Sequence, residues 1–223
     1  AAFSHCTSLT SVTIPAGITG ISLDAFSGCS SLISVTIPDG VTAIGVSAFS
    51  RCSSLISVTI PDSVTDIGGN AFSGCSSLTS VTIPDSVTVI RWEAFSDCTS
   101  LKSIEIPENV QSIEANPFPR CSNLKKISVA EENLYYYSDA QGCLYSKDQT
   151  DFIACPGAYS GAYHIPAGVT SIGYAAFEGC GSLTNVTIPD SVTTIETQAF
   201  KSCSSLTNIV IPRNVQRINA ETF

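Results

Sequence analysis

Ten cysteines recur along the 223 residues of this chain, and eight of them keep a common beat. Cys6, Cys29, Cys52, Cys75, Cys98 and Cys121 follow one another at a constant 23-residue interval, and Cys180 and Cys203 resume it. Thiols so placed could bind a metal, act as nucleophiles, pair as disulfides or fill a core. A metal needs ligands clustered at short spacing, yet there is no Cys-x-x-Cys pair, and His5 and His164 are the only imidazoles. A Cys155–His164 dyad can be drawn, but nothing in the spacing demands it. Disulfides within the column would join alternate coils and distort an even stack. The eight are therefore expected to be buried thiols acting as small apolar fillers. Cys143 and Cys155 flank a hairpin-like stretch, LYSKDQTDFIA, across which they could face each other, and a disulfide between them is left open. Asp148 and Asp151 lie in a turn-like stretch without the regular ligand spacing of a calcium loop, and turn chemistry accounts for them. Asn185-Val186-Thr187 is formally a glycosylation sequon, on a strand pattern. No catalytic residue, metal or cofactor is expected.

The cysteine beat belongs to a larger repeat, which must be read before any isolated motif. Phe3, Phe26, Phe49, Phe72, Phe95 and Phe118 share the interval, as do Phe177, Phe200 and Phe223. The Ile-Pro pairs give an independent ruler at Ile14, Ile37, Ile60, Ile83 and Ile106, then Ile165, Ile188 and Ile211, with Val129-Ala130 in the sixth place. The step from Val129 to Ile165 is longer than one period, so the array is interrupted once, by an insertion within 130–165 that makes one 36-residue variant repeat.

One unit reads L-x-x-V-x-I-P-x-x-V-x-x-I-x-x-x-A-F-x-x-C-x-x. The V-x-I alternation is a short strand with Val and Ile on one face, and Pro ends it. Val and Ile three apart suit a second, bent extended segment, and A-F-x-x-C suits a turn or a 3₁₀ segment. A lone unit has too few apolar side chains to offset the ordering of its own backbone, so units must stack, each side chain on its own copy. Leu78, Val81, Ile83, Val87, Ile90, Phe95 and Cys75 represent the faithful letters, with Phe26, Phe49 and Phe72 in the same ladder.

Composition narrows the function classes. The net charge is −9, with charged residues only 13% of the chain and no basic run, which argues against a nucleic-acid partner. No long, unbroken apolar stretch offers a membrane span. The chain begins and ends at the same point of the repeated phrase. It is expected to be a single repeat domain over 1–223, cut from a longer array without caps, with flanking repeats or another chain covering its ends.

The repeated pattern, with AFSGCSSL and SVTIPDSVT as its wording, resembles the BspA-like leucine-rich-repeat family. That resemblance covers essentially the whole chain. It implies a right-handed leucine-rich-repeat solenoid of about nine coils, with short parallel strands on one side, an irregular or 3₁₀ convex side and one variant repeat. The stretch from Asn133 to Pro166 resembles the variant repeat of the family, and a β-hairpin is expected there. Family members are associated with cell surfaces and secretion in bacteria and some protozoa. The resemblance therefore implies an extracellular or cell-surface adhesion or recognition module, binding a protein of host or extracellular matrix, or a glycan. The asparagine that follows the strand in ordinary leucine-rich repeats is present only as Asn109 and Asn214, so an asparagine ladder is not the main glue.

Contact residues are sought where the copies diverge. Outward strand positions begin as uniform pairs, Ser11/Thr13 to Ser80/Thr82, a polar carpet that could also suit a structural spacer or, remotely, an ordered surface such as ice. They diverge to Ser103/Glu105, Lys126/Ser128, Asn185/Thr187 and Asn208/Val210, which puts Glu105, Lys126, Asn185 and Asn208 among the candidates. All seven tyrosines fall between Tyr135 and Tyr174. Tyr163 takes an inward position, whereas Tyr135, Tyr136, Tyr137, Tyr145 and Tyr159 are candidates for contact, or for a small core over the insertion. Trp92, in the variable Arg91-Trp92-Glu93 stretch, completes the set.

Overall fold

In each regular unit the Ser-Val-Thr triplet is extended, its valine turned inward and its two hydroxyl residues outward. Ser11–Thr13, Ser34–Thr36, Ser57–Thr59 and Ser80–Thr82 pair in parallel and in register, residue on equivalent residue. Ser103–Ile106 pairs with Lys126–Val129, and beyond the insertion Ser160–His164, Ser182–Thr187 and Asn208–Ile209 continue the series. These strands form the front face, in blocks of four, two and three. A second row of two-residue strands, from Gly20–Ile21 to Ser112–Ile113, forms the back face, again parallel and in register. The computed structural model describes residues 2–223, and among these no helix is long and apolar enough to cross a membrane.

Between back and front strands the A-F-x-x-C stretch takes the turn alternative and not the 3₁₀ one, as a chain of single turns. Cys29 N–H donates to the Phe26 carbonyl at 3.2 Å, but left-handed residues on either side, Asp24 (φ 53°) and Gly28 (φ 73°), break any continuous helix. The left-handed position of Asp24 recurs at Ser47, Asn70 and Glu93, and again at Ala175, Gln198 and Glu221. It points backbone groups along the stack, so that Phe26 N–H donates to the Ala48 carbonyl of the next coil at 2.8 Å. Coils sit so close that a Cβ on Gly68 would stand 2.6 Å from the backbone carbon of Gly45. Alanine there would push two coils apart.

The ladder side chains stack as the repeat demands. From Phe3 to Phe118 successive rings lie 5.3 to 5.9 Å apart, all within 20° of parallel. The thiols are more than fillers. Cys52, Cys75, Cys98 and Cys121 each donate to the phenylalanine carbonyl of the preceding coil, at 3.0 to 3.3 Å. Where an ordinary repeat would use asparagine, serine substitutes: Ser63, Ser86 and Ser191 hydroxyls each donate to a valine carbonyl one coil back at 2.7 Å.

Burial raises the pKa of these thiols, to about 12 for Cys52 and Cys121, and most of the column is inaccessible. Cys6, in the first coil, departs from the buried column and is exposed, while Cys203 near the other end is half-buried. Brief iodoacetamide treatment of the native protein at about pH 8 is therefore expected to modify Cys6 first, and all ten cysteines only after unfolding. Equal native labelling of Cys75, read by peptide mass, would contradict the stack.

The insertion does not hang outside the solenoid. Its strands Tyr136–Ser138, Leu144–Ser146 and Asp151–Ala154 form an antiparallel meander, one strand more than the expected hairpin. The third strand joins Ser171–Ile172 in parallel and so becomes part of the back face. The meander divides the interior into two cores. Leu144 and Ala154 pack with the coils before it, and Cys143, Tyr145, Phe152 and Cys155 with those after it.

Candidate recognition site

The 23-residue ruler runs on into the insertion before it fails. Asn133 stands where Val110 stood one coil earlier, and Tyr136 where Ile113 stood. Asn133 is fully buried. Its amide donates to the carbonyls of Pro107 and Val110 at 2.7 and 3.1 Å, and its oxygen accepts from the N–H groups of Tyr135 and Tyr136. This polar residue in an apolar column detaches the chain from the regular path. Tyr136 is buried, and its hydroxyl accepts from Ile113 N–H at 2.6 Å, satisfying the back-sheet edge that the interruption leaves open. Tyr136 thus caps the edge, mostly buried where the sequence placed an exposed contact.

Tyr145 is likewise turned inward and not exposed. It is 1% exposed and packs edge-on to Phe152, with ring centroids 5.0 Å apart. Its hydroxyl meets that of Tyr163, which in turn donates to Asp139 Oδ2. Asp139 Oδ1 accepts from Cys143 N–H at 2.8 Å, so one carboxylate gathers the start of the meander, its middle strand and the next front strand. Phe152 stacks on Phe177 at 4.5 Å and so heads the second run of rings, which continues through Phe200 to Phe223. The Cys143 and Cys155 sulfurs do face each other, 3.7 Å apart, as free thiols. Cys155 makes its other contact with the Pro156 carbonyl and not with His164. In the meander's second turn the Asp148 carboxylate accepts from Ser146 Oγ and from the N–H and hydroxyl of Thr150, which holds its pKa below the usual carboxylate range. That is turn chemistry, as the sequence suggests.

Around the insertion the turn side of the solenoid closes directly. Arg120 N–H donates to the Glu178 carbonyl at 3.1 Å, and the Asn116 side-chain amide to the Ala175 carbonyl at 2.7 Å. The Arg120 guanidinium holds Asp97 through two bonds, at 2.9 and 2.8 Å, and pairs with the Glu178 carboxylate. Glu178 is buried, and its second oxygen has no partner. Tyr174 reaches back to Glu93 Oε1 at 2.9 Å across the same junction.

The remaining candidates separate onto two faces. On the back, Tyr135 lines a groove of about 500 Å³ with Tyr174, Glu114, Asp151 and Glu196, opened by the break between Ser112–Ile113 and the meander. Trp92 stands one coil before Ala115 of that groove, its ring laid on Gly69, where a Cβ would come within 2.5 Å of the indole. Its neighbours are occupied in structure: Arg91 bridges Asp66 and Glu114, and Glu93 holds Tyr174. On the front, Tyr137 and Tyr159 line a smaller depression of about 290 Å³ beside Ser160–His164. Asn185 and Asn208 continue the row of Ala162 at its rim. Glu105 lies apart, in a front groove between Ser80–Thr82 and Ser103–Ile106, and Lys126 is exposed on its strand. The structure thus brings Tyr137 and Tyr159 into one depression and sets Trp92 one coil away from the groove of Tyr135, but gathers no single site from all of them.

Stacked coils with in-register strands on one side, inward Leu, Val and Ile, and a turn-built opposite side define a leucine-rich-repeat solenoid, of about nine coils here. The chain belongs to the family described as BspA type leucine-rich repeat region, whose model matches in six copies over residues 1–125, 53–146 and 159–223. Its fold is similar to that of a leucine-rich cell surface protein from Faecalibacterium prausnitzii A2-165, at 35% identity over 96% of this chain and 64% of that one, with a TM-score of 0.79. It is also similar to the pneumococcal vaccine antigen PcpA, at 28% identity over 92% of this chain and 51% of that one, with a TM-score of 0.83. A leucine-rich repeat protein from Eubacterium ventriosum is 27% identical over 92% of this chain and 62% of that one, with a TM-score of 0.74. The chain therefore spans from about half to just under two thirds of the length of each. Among curated proteins, none matches it.

Proposed function

We propose that the chain is a non-catalytic recognition module at the cell surface or outside the cell, and that it engages a protein partner along the break in its repeat. One observation carries this reading. Away from the end coils, the large apolar side chains that stand most exposed are Leu134 (76%), Tyr135 (45%), Trp92 (41%) and Tyr137, besides two isoleucines, Ile33 and Ile56, on the regular coils. Rigid aromatic rings on an otherwise hydroxyl-covered surface are the composition of interface anchors. The family's association with surface proteins, and the cell-surface description of the F. prausnitzii protein, support the location.

A panel of purified extracellular-matrix proteins, each immobilised and probed with the intact chain, tests the reading. Combined Trp92→Ala and Tyr135→Ala substitution is expected to weaken the bound pair by about tenfold or more, with the melting temperature little changed. The uniform Ser/Thr front of the first four coils favours a second reading, a spacer that presents other domains. Binding to no member of the panel would support the spacer, whereas binding indifferent to both substitutions would move the contact off the break.

A further inference from the structure

We infer that the front depression at the insertion is a binding site for one ring of a neutral saccharide. The inference goes beyond the protein-recognition surface, because no residue lines both this depression and the back groove. Its volume, about 290 Å³, lies at the small end of ligand pockets and suits roughly one pyranose unit. Two phenol rings, those of Tyr137 and Tyr159, line it and reach solvent. Tyr159 is held in place from two sides. Its hydroxyl donates to the Ala162 carbonyl at 2.8 Å, and its ring meets Tyr163 edge-on at 5.3 Å. A fixed aromatic face offers apolar contact to the C–H face of a sugar at little entropic cost.

Two side-chain amides stand among the polar groups at the rim. Gln141, Gln149 and His164 line the depression, and none of the three side chains makes a hydrogen bond within the chain among the described residues. An amide both donates and accepts, and this matches hydroxyls that do the same. The one carboxylate, Asp139, is committed to Tyr163, Tyr145 and Cys143, so it braces the floor and presents no free charge to a cationic ligand. Beyond the rim, Asn185 and Asn208 extend the row of Ala162 along the strands, where further sugar units of an oligosaccharide would run.

The intact chain, mixed with a panel of methyl pyranosides of glucose, galactose, mannose and N-acetylglucosamine, tests this by saturation-transfer NMR. Single sugars are expected to bind with a Kd of about 1 mM, so about 10 mM of each is used. Transfer from protein to ring protons is expected for at least one member, and reduced about fivefold or more by Tyr159→Ala and by Gln141→Ala. Tyr137→Ala, at an exposed position, gives a second aromatic arm should Tyr159→Ala fail to fold. Trp92→Ala should leave the transfer unchanged. No transfer from any sugar, or transfer that survives both Tyr137→Ala and Gln141→Ala, would overturn the inference without touching the protein-binding reading. Matrix-protein binding that fails while sugar transfer persists would leave the saccharide site standing.

Discussion

Phe72→Ala is expected to lower the unfolding free energy by about 3–5 kcal/mol, among the largest losses that any single substitution in this chain can cause. Phe72 is fully buried, with Phe49 and Phe95 stacked on its two faces at 5.4 Å. Removing the ring opens a cavity between coils whose backbones are already in hydrogen-bond contact, Phe72 N–H to the Ala94 carbonyl at 2.8 Å, so the stack cannot close over the gap. Because each coil touches only its neighbours, the damage should be local in structure but global in effect, cutting the array into two shorter cooperative units. Denaturant titration checks both parts. A fall in midpoint with a shallower or two-step transition is expected, and a loss below about 1 kcal/mol would show that the ring ladder is not what couples the coils.

Arg120→Ala is the second large loss, and its dependence on pH separates it from simple truncation. The guanidinium is about a third exposed, so the roughly 3–5 kcal/mol typical of breaking a buried pair is discounted to about 2–3 kcal/mol at pH 7. Burial raises the pKa of Glu178, which Arg120 pulls back down. A carboxyl whose pKa is raised on folding contributes full stability below its unfolded pKa and loses it as pH rises through the folded value. Without Arg120 that folded pKa climbs further. The deficit of Arg120→Ala against the parent should therefore be larger at pH 7 than at about pH 4, where a protonated Glu178 no longer needs a cation. Chemical denaturation at the two pH values measures it. A deficit that is equal at both, or larger in acid, would mean that Glu178 is not left stranded.

The regular coils are legible in the sequence because their signal is redundant. Every inward column repeats its letter, and Ile83, Phe72 and Cys75 each fix the period independently. The insertion is less legible because its residues change partners. Clustering groups Tyr136 and Tyr145 with the exposed tyrosines, although Tyr136 lies one full period after Ile113, on the inward column. Extending the ruler one coil further marks both Asn133 and Tyr136 as interior. Nothing in the spacing announces that Phe152 stacks on Phe177, or that Asp139 binds Tyr163, since antiparallel pairing within the meander sets those contacts. Arg120 and Glu178 stand on opposite sides of the insertion, and their pairing becomes visible only once the variant repeat is subtracted from the column spacing. Of the outlying candidates, Trp92 stands out as the one tryptophan of the chain, and Gly69, at the same place one coil earlier, makes room for its ring.

The measurement that bears most directly on the proposed role is a repaired array, in which residues 130–165 give way to a regular stretch that restores the repeat from Val129 onward. Such a chain keeps the ladders and removes the exposed break. Its affinity for a matrix protein that holds the parent chain is expected to fall by about tenfold or more, while its melting temperature stays equal or rises. Undiminished binding by the repaired array would contradict the account, because the faithful coils and not the break would then be the recognition surface.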